Sequence, residues 1–258
     1  MDKLETLREI LRKYQKVAIA YSGGCDSNFL FQVAKETLGK DNVLAVLCIG
    51  NMMSKEDIQN ARNLLKESQY CEILINVFDV DEFRNNDKKR CYYCKKTIMS
   101  KVIEAASQRG FEYVVDGKNL DDEGVYRPGI QACQELGILS PLSDSQMTKQ
   151  DIRMYSKELG IITHDKPANA CLASRFQYDT LLTKEKLQMV DDAEALFHQI
   201  GIHHVRVRVQ DDLARIEVER KDFDKVLGNK NMISSLKELG FRFITLDLEG
   251  ITSGSYDR

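Results

Sequence analysis

Proline and long apolar runs are scarce in this chain of 258 residues. With only three prolines, the sequence has no Pro-rich linker that would mark a boundary between domains. No apolar run is long enough to predict a membrane span, so we expect no membrane partner. Residues 1–14 are charged and amphipathic and do not look like a signal peptide, which favours a cytoplasmic protein.

An excess of positive charge is also missing, since the formal net charge is -3. Proteins that bind nucleic acid through its phosphates need a basic surface, so we expect no stable nucleic-acid partner. The Gly-Lys-Ser/Thr ending of a Walker loop is absent too, which excludes that class of nucleotide-binding loop.

The chain has seven cysteines. Thiols stay reduced in the cytoplasm, so clustered cysteines indicate a metal site or catalysis rather than disulfides. Four have apolar or loop neighbours that are typical of small core residues: Cys25, Cys48, Cys71 and Cys133. The other three, Cys91, Cys94 and Cys171, lie in distinctive motifs and are candidates for chemistry.

The most informative stretch is residues 22–27, Ser-Gly-Gly-Cys-Asp-Ser. It lies between an apolar run that predicts a buried strand and a segment with helical spacing of its apolar residues. Glycines let the backbone approach a ligand, and a helix N-terminus offers free N–H groups to an anion. Asp26 can orient the loop or contact a metal ion. The alternative is an ordinary glycine turn before a helix.

The first two thirds of the chain alternate strands and helices. Strands are predicted at 17–20, 43–49, 72–78 and 113–115, and helices at 28–37, 54–68, 97–109 and 148–159. This alternation predicts an α/β fold, with a parallel sheet and helices on both of its faces. Ligands of such folds bind at the carboxyl ends of the strands.

The pattern changes near Phe176. A long helix is predicted at 183–200, strands at 204–209, 214–219 and 242–248, and short helices at 222–227 and 231–239. This order predicts a small α+β domain with an antiparallel sheet. We therefore expect two domains, at 1–178 and 179–258.

Residues 116–122, Asp-Gly-Lys-Asn-Leu-Asp-Asp, follow the strand predicted at 113–115. Carboxylates at this position, Asp122 in particular, can hold Mg²⁺ on a triphosphate. Gly117 would let the backbone approach a base or ribose, and Arg127 adds a permanent charge near the same edge. The alternative is a polar turn that caps the next helix.

Cys91 and Cys94 form a Cys-x-x-Cys pair between basic residues, in a turn or in the first turn of a helix. Basic neighbours favour the thiolate form. Three interpretations compete: a redox dithiol, half of a zinc site completed by Cys171 and His164, or an iron–sulfur cluster with three protein thiolates.

Cys171 lies among small residues in a loop near the predicted domain boundary, where it is either a presented sulfur or a structural thiol. Arg206 and Arg208 alternate with valines on one strand and would share a face. Two guanidinium groups so placed make a clamp for phosphate or carboxylate. The alternative is a solvated outer face. Glu194, on the long helix, has the pattern of an exposed acid.

These motifs resemble the N-type ATP pyrophosphatases, or PP-loop superfamily. Within it, the match is to the ATP-dependent sulfur transferases of lactate racemase nickel-pincer cofactor biosynthesis. The resemblance rests on SGGCDS, DGKNLDD, YRPG, ACLASRF and the VRVRV and ARIEV strands. It implies a Rossmann-like, HUP-type sheet domain and an enzyme that uses ATP and Mg²⁺. Such enzymes adenylate the carboxylates of pyridinium-3,5-biscarboxylic acid mononucleotide, and a sulfur nucleophile then displaces AMP to leave thiocarboxylates.

The resemblance also implies a role for each matching residue. Cys171 would bear the sulfur, and Arg206 and Arg208 would hold the substrate's phosphate. The other implied catalytic residues are Asp26, Ser174 and Glu194. The implied ATP contacts are Ser22, Gly23, Gly24, Asp26, Ser27, Gly117 and Arg127.

Members of this family supply sulfur in two ways. In one, a lone cysteine gives up its own sulfur. In the other, three cysteines hold a 4Fe-4S cluster, which here would be Cys91, Cys94 and Cys171, and an external sulfide source is needed. The three cysteines favour the second way, and a homo-oligomer is expected. A tRNA-thiolating enzyme, an amide-forming synthetase and a zinc-stabilised nucleotide-binding module are the competing interpretations.

Overall fold

The structure, a computed structural model, describes residues 2–124, 128–167, 170–252 and 254–256. Its helices are α1 Lys3–Tyr14, α2 Cys25–Leu38, α3 Lys55–Leu65, α4 Asp81–Arg84, α5 Arg90–Ser107, α6 Pro128–Glu135, α7 Pro141–Asp144, α8 Lys149–Glu158, α9 Lys184–Gln199, α10 Phe223–Gly228 and α11 Lys230–Glu238. Its strands are β1 Val17–Tyr21, β2 Val43–Ile49, β3 Tyr70–Leu74, β4 Tyr113–Val115, β5 Val205–Gln210, β6 Leu213–Val218 and β7 Phe243–Leu246. Across the described ranges, no helix is both long and apolar enough to cross a membrane.

The chain forms two compact units, each assembled from several stretches of sequence. The first consists of Met1–Gly50, Asp57–Asn76 and Lys89–Asn169. The second consists of Asn51–Glu56, Val77–Lys88 and Ala170–Arg258. The domain limits 1–178 and 179–258 stay a prediction.

The first unit contains a four-stranded parallel sheet in the order β3-β2-β1-β4. Its central strands β1 and β2 are runs of aliphatic residues that are buried almost throughout. Successive side chains of a strand point to opposite faces, so continuous burial means that both faces are covered, here by helices such as α2 and α5. The predicted α/β fold is therefore confirmed.

The largest differences from the predicted limits in this unit concern one strand and one helix. Strand β3 covers 70–74 rather than 72–78, because it pairs from Tyr70 onward with β2 and gives way to a 3₁₀ turn at Val77–Asp79. Helix α5 begins at Arg90 rather than at Thr97. Its first two turns carry charged and aromatic residues without an apolar period, so the sequence pattern missed them.

The second unit contains a three-stranded sheet in the order β5-β6-β7. Strands β5 and β6 form an antiparallel hairpin, as predicted, but β6 and β7 pair in parallel. The prediction of a wholly antiparallel sheet was therefore wrong. Two helices, α10 and α11, connect β6 to β7, and a connection of that length is what a parallel crossover requires.

Candidate functional site

The loop between β1 and α2 has the backbone of a phosphate cradle. Gly23 has a φ of +72°, and a Cβ atom on it would lie 2.8 Å from the Cβ of Ala61. Only glycine satisfies both the left-handed backbone and this close packing. The hydroxyl oxygens of Ser22 and Ser27 lie 3.0 Å apart, which closes the loop on itself. Gly24, the N-cap residue, has no side chain with which to cover the N–H groups that begin α2.

Gly117 lies directly against this loop. A Cβ atom at Gly117 would lie 3.1 Å from the backbone nitrogen of Ser27 and 3.3 Å from its Cα. Two strand ends separated by a long stretch of sequence therefore meet backbone to backbone. The fold thus brings together the predicted ATP contacts Ser22, Gly23, Gly24, Asp26, Ser27 and Gly117. Arg127 lies outside the described residues, as do residues 168 and 169 of the Cys171 motif.

Two lysines that sequence reasoning missed hold the loop in place. Lys149, at the start of α8, donates a 2.6 Å hydrogen bond to the carboxylate of Asp26. Lys166 donates to the carbonyl of Gly23 at 3.2 Å and pairs with Asp57 at 3.1 Å. The positive charge of a lysine is unfavourable in the first turn of a helix because of the helix dipole. That unusual position is the feature of the sequence that could have indicated a functional role for Lys149.

Burial raises the pKa of Asp26 above its ordinary value, and the ammonium group of Lys149 partly opposes the shift. The negative charge of Asp122 raises the pKa of Asp26 further. Asp122 also completes a capping box by accepting a hydrogen bond from the backbone nitrogen of Asn119 at 3.2 Å. Two carboxylates that repel each other beside a phosphate loop are suitable oxygen donors for Mg²⁺.

Cys91 and Cys94 lie in the first turns of α5, where a spacing of three residues puts both thiols on one side of the helix. Cys91 is exposed and Cys94 is half-buried. Nearby, Lys96 and Tyr92 both bond to the carboxylate of Glu135. These thiols are accessible enough to react or to hold metal.

The cysteines assigned to the core have different surroundings. Cys25, Cys48 and Cys133 are buried, and Cys71 is half-buried. Burial raises the pKa of Cys48 to about 12 and that of Cys133 to about 11. Such thiols stay protonated near neutral pH and are poor nucleophiles. Within the described ranges, no group of three or more His, Cys, Asp and Glu side chains is arranged to hold a metal ion.

In the second unit, Cys171 is half-buried and is the N-cap residue of a 3₁₀ helix, Leu172–Arg175. The side chain of Arg175 is buried beneath this loop, with 1% of its surface exposed. Its Nη1 atom donates to the carbonyl of Ala170 at 2.8 Å and to the hydroxyl of Ser174 at 3.1 Å. Sequence reasoning had no signal that singled out Arg175, because an arginine in a loop is ordinarily exposed.

Glu194 is buried as well, and its predicted exposure was wrong. Both of its carboxylate oxygens bond to Arg175, at 2.8 and 2.9 Å. The oxygen Oε1 also accepts a hydrogen bond from the backbone nitrogen of Val207 at 2.9 Å. Direct contact of Glu194 or Ser174 with a substrate stays a prediction.

Arg206 and Arg208 are buried, with 8% and 3% of their surfaces exposed, so the solvated-face interpretation was wrong. Arg208 pairs with the buried Glu217 at 2.9 Å and donates to the carbonyl of Ser174 at 2.6 Å. Arg206 donates to the carbonyl of Thr252 at 2.8 Å. The hairpin arginines and the Cys171 loop are therefore parts of one hydrogen-bonded network.

Among the described residues, this network carries more positive than negative charge. Its buried cations are Arg175, Arg206 and Arg208, whereas its buried carboxylates are those of Glu194 and Glu217. The pKa of Arg206 is lowered by burial first and then by repulsion from the other two arginines. A buried cation that is repelled by its neighbours favours the binding of an anion.

The described residues of the segment 252–256, which covers these arginines, add only neutral groups. Besides the Thr252 carbonyl, the hydroxyl of Ser255 accepts from Arg215 at 2.7 Å. The ring of Tyr256 lies 5.5 Å from Arg208 and 5.6 Å from Arg215, each measured from the ring centroid to the guanidinium carbon. These described residues therefore leave the excess positive charge of the network unchanged.

Comparison with known proteins gives a family match, and it finds relatives that align over nearly their full length. Residues 2–108 match the NAD synthase family. The chain is 37% identical to an uncharacterized protein of Synechocystis sp., over 100% of this chain and 97% of that protein. It is 36% identical to the pyridinium-3,5-bisthiocarboxylic acid mononucleotide synthase of Lactiplantibacillus plantarum, over 98% of this chain and 92% of that enzyme. It is also 30% identical to an uncharacterized protein of Methanocaldococcus jannaschii, over 96% of this chain and 97% of that protein.

Proposed function

The chain belongs to the pyridinium-3,5-bisthiocarboxylic acid mononucleotide synthase family of the PP-loop superfamily, and from that premise we propose that it inserts sulfur into pyridinium-3,5-biscarboxylic acid mononucleotide. It is an ATP-dependent sulfur transferase. The observation that carries the proposal is the 36% identity to the synthase over 98% of this chain, a range that takes in residues of both compact units.

In the first step, a substrate carboxylate oxygen attacks the α-phosphorus of ATP, and pyrophosphate leaves. A carboxylate is a poor electrophile, and adenylation gives it a good leaving group. The N–H groups at the start of α2 and the serine hydroxyls would bind the departing pyrophosphate. The carboxylates of Asp26 and Asp122 would hold Mg²⁺, which neutralises charge on the leaving group.

In the second step, a sulfur nucleophile attacks the activated carbonyl carbon, and AMP leaves to give a thiocarboxylate. Arg206 and Arg208 would hold the phosphate of the mononucleotide and so align its carboxylate with the attacking group. The excess positive charge around these two buried arginines supports that role. The second carboxylate would be converted in the same way.

For the sulfur source, the proposal is a 4Fe-4S cluster held by Cys91, Cys94 and Cys171. The donor set fits, because all three are thiols that are not fully buried, and thiolates are the usual ligands of such clusters. Three protein ligands would leave one iron open, and that site would supply an exchangeable sulfide. The competing mechanism is loss of the Cys171 sulfur itself, once per protein molecule.

Anaerobic purification followed by iron, sulfide and product analysis tests the proposal. We expect about four iron and four sulfide per chain and several thiocarboxylates formed per protein molecule. Product limited to one sulfur per chain, with Cys171 losing its sulfur by mass spectrometry, would instead favour the sacrificial mechanism. Pyrophosphate release without any thiocarboxylate would contradict sulfur insertion altogether.

A further inference from the structure

Arg175 is a buried arginine whose planar fork forms hydrogen bonds in two directions. On one side, Nε and Nη2 form paired bonds of 2.8 and 2.9 Å with the carboxylate of Glu194. On the other side, Nη1 donates to the carbonyl of Ala170, to the Ser174 hydroxyl and, at 3.4 Å, to the carbonyl of Cys171. The guanidinium therefore fixes the backbone immediately around Cys171.

The same pair extends to the hairpin that carries the arginines proposed to bind phosphate. Glu194 accepts a hydrogen bond from the backbone nitrogen of Val207, which lies between Arg206 and Arg208. Arg208 in turn donates to the carbonyl of Ser174 at 2.6 Å. The Cys171 loop and strand β5 are therefore tied together at two points by charged hydrogen bonds, which are stronger than neutral ones.

We propose that Arg175 is a positioning residue for sulfur transfer, and that Glu194 acts through it. The pair fixes the distance between Cys171 and the arginines that bind the substrate's phosphate; this inference rests on the function proposed above. Stability alone does not account for the pair, because well-packed apolar residues often replace a buried ion pair without loss of stability. What apolar residues cannot provide is the set of donors to the Cys171 loop.

The test compares two double variants of the full-length protein. In Arg175→Met/Glu194→Met, apolar side chains of similar length replace the buried pair. In the control, Lys55→Met/Asp192→Met, they replace an exposed ion pair of 3.2 Å that also involves helix α9. We expect the first variant to fold, to keep its KM for ATP and its pyrophosphate release, and to lose about tenfold or more of its thiocarboxylate kcat. The control keeps both activities.

Hydrogen exchange read by mass spectrometry gives a second measurement that does not depend on activity. We expect faster exchange in Arg175→Met/Glu194→Met to be confined to peptides covering 170–176 and 205–209. Faster exchange throughout the second unit, with a lower Tm, would mean that the pair is merely structural and would overturn the inference. Unchanged thiocarboxylate kcat in the folded variant would overturn it as well.

The two proposals fail in distinguishable ways. If the wild-type protein makes no thiocarboxylate, the proposed function fails, while the exchange measurement still reports whether Arg175 holds the Cys171 loop. If the wild-type protein makes thiocarboxylate and the double variant does so at the same rate, only the positioning role fails.

Discussion

Lys149 reaches from the start of helix α8 to the phosphate-binding loop, where its ammonium group bonds to the carboxylate of Asp26 at 2.6 Å. The contact joins residues that are far apart in the sequence, and it opposes the effect of burial on the pKa of Asp26. Burial favours the protonated form of Asp26, and Lys149 favours the charged form. In the proposed function, the binding of ATP and Mg²⁺ by this loop would depend on the ion pair.

Lys149→Met should move the acid limb of the pyrophosphate-release profile to higher pH. Without the ammonium group, the pKa of Asp26 rises further, so a larger fraction of Asp26 is protonated at any given pH and cannot bind Mg²⁺. The measurement is the initial rate of pyrophosphate release at pH values from about 5 to about 9. Lys157→Met, on the same helix, is the control and should leave the profile unchanged. An unshifted acid limb in Lys149→Met would show that Asp26 does not act in its charged form.

Gly23→Ala should weaken ATP binding by more than the strain of a left-handed backbone at this position would cause. The new Cβ would lie 2.8 Å from that of Ala61, a distance that forces the loop to move. Gly39→Ala is the matched control, because Gly39 has a φ of +83° but, apart from its chain neighbours, no described residue places an atom within 4 Å of an added Cβ. We expect Gly39→Ala to reduce the free energy of unfolding by about 1–3 kcal/mol with no change in the KM for ATP. Gly23→Ala should raise the KM for ATP about tenfold or more. An unchanged KM for ATP in this variant would contradict the assignment of the loop as a phosphate cradle.

Arg206→Ala and Arg208→Ala should both raise the KM for the mononucleotide while leaving the KM for ATP unchanged. Their effects on stability should differ. Arg208→Ala leaves the buried Glu217 without its closest cation and should reduce the free energy of unfolding by about 3 kcal/mol. Arg206 makes no ion pair within the described residues. Its loss removes a hydrogen bond to the Thr252 carbonyl but relieves repulsion from two other arginines, so Arg206→Ala should reduce the free energy of unfolding by only about 1 kcal/mol.

Urea denaturation and steady-state kinetics on the same preparations check both parts of this expectation. Equal losses of affinity for ATP and for the mononucleotide would place the arginines outside the phosphate site. Equal losses of stability in the two variants would contradict the charge balance described for the network.

Cys171→Ala should abolish thiocarboxylate formation and leave pyrophosphate release measurable, because adenylation does not need the sulfur. Cys71→Ala, which removes a half-buried thiol from strand β3, is the control and should keep both activities. Product analysis by mass spectrometry, run beside a pyrophosphate assay, gives the measurement. A Cys171→Ala protein that still inserts sulfur would remove this residue from the mechanism.

Much of the first unit could be predicted from the sequence because its signals are local. Val17–Tyr21 and Val43–Ile49 are continuous aliphatic runs, and such runs form buried parallel strands whatever their partners are. The glycines of the loop and of Asp116-Gly117 fall at strand ends, and the parallel sheet brings those ends together. The start of α5 and the limits of β3 were missed, since both depend on neighbours rather than on periodicity.

In the second unit the sequence indicated the hairpin but not its surroundings. Alternation of valine and arginine predicts that Arg206 and Arg208 share a face, yet it does not say what covers that face. The structure covers it with the 3₁₀ helix that follows Cys171 and with Thr252 and Tyr256. That cover turns two arginines with the pattern of surface residues into a buried, positively charged cluster.

The sequence by itself determined which residues are candidates for the chemistry: a glycine loop before a helix, a cysteine pair, a third cysteine and two arginines on one strand. These follow from residue type and spacing within a few positions. Only the tertiary structure decided the charge partners, Lys149 with Asp26 and Arg175 with Glu194. The reason is physical: whether a charged side chain is buried, and what it pairs with, depends on residues that come close only after the chain has folded.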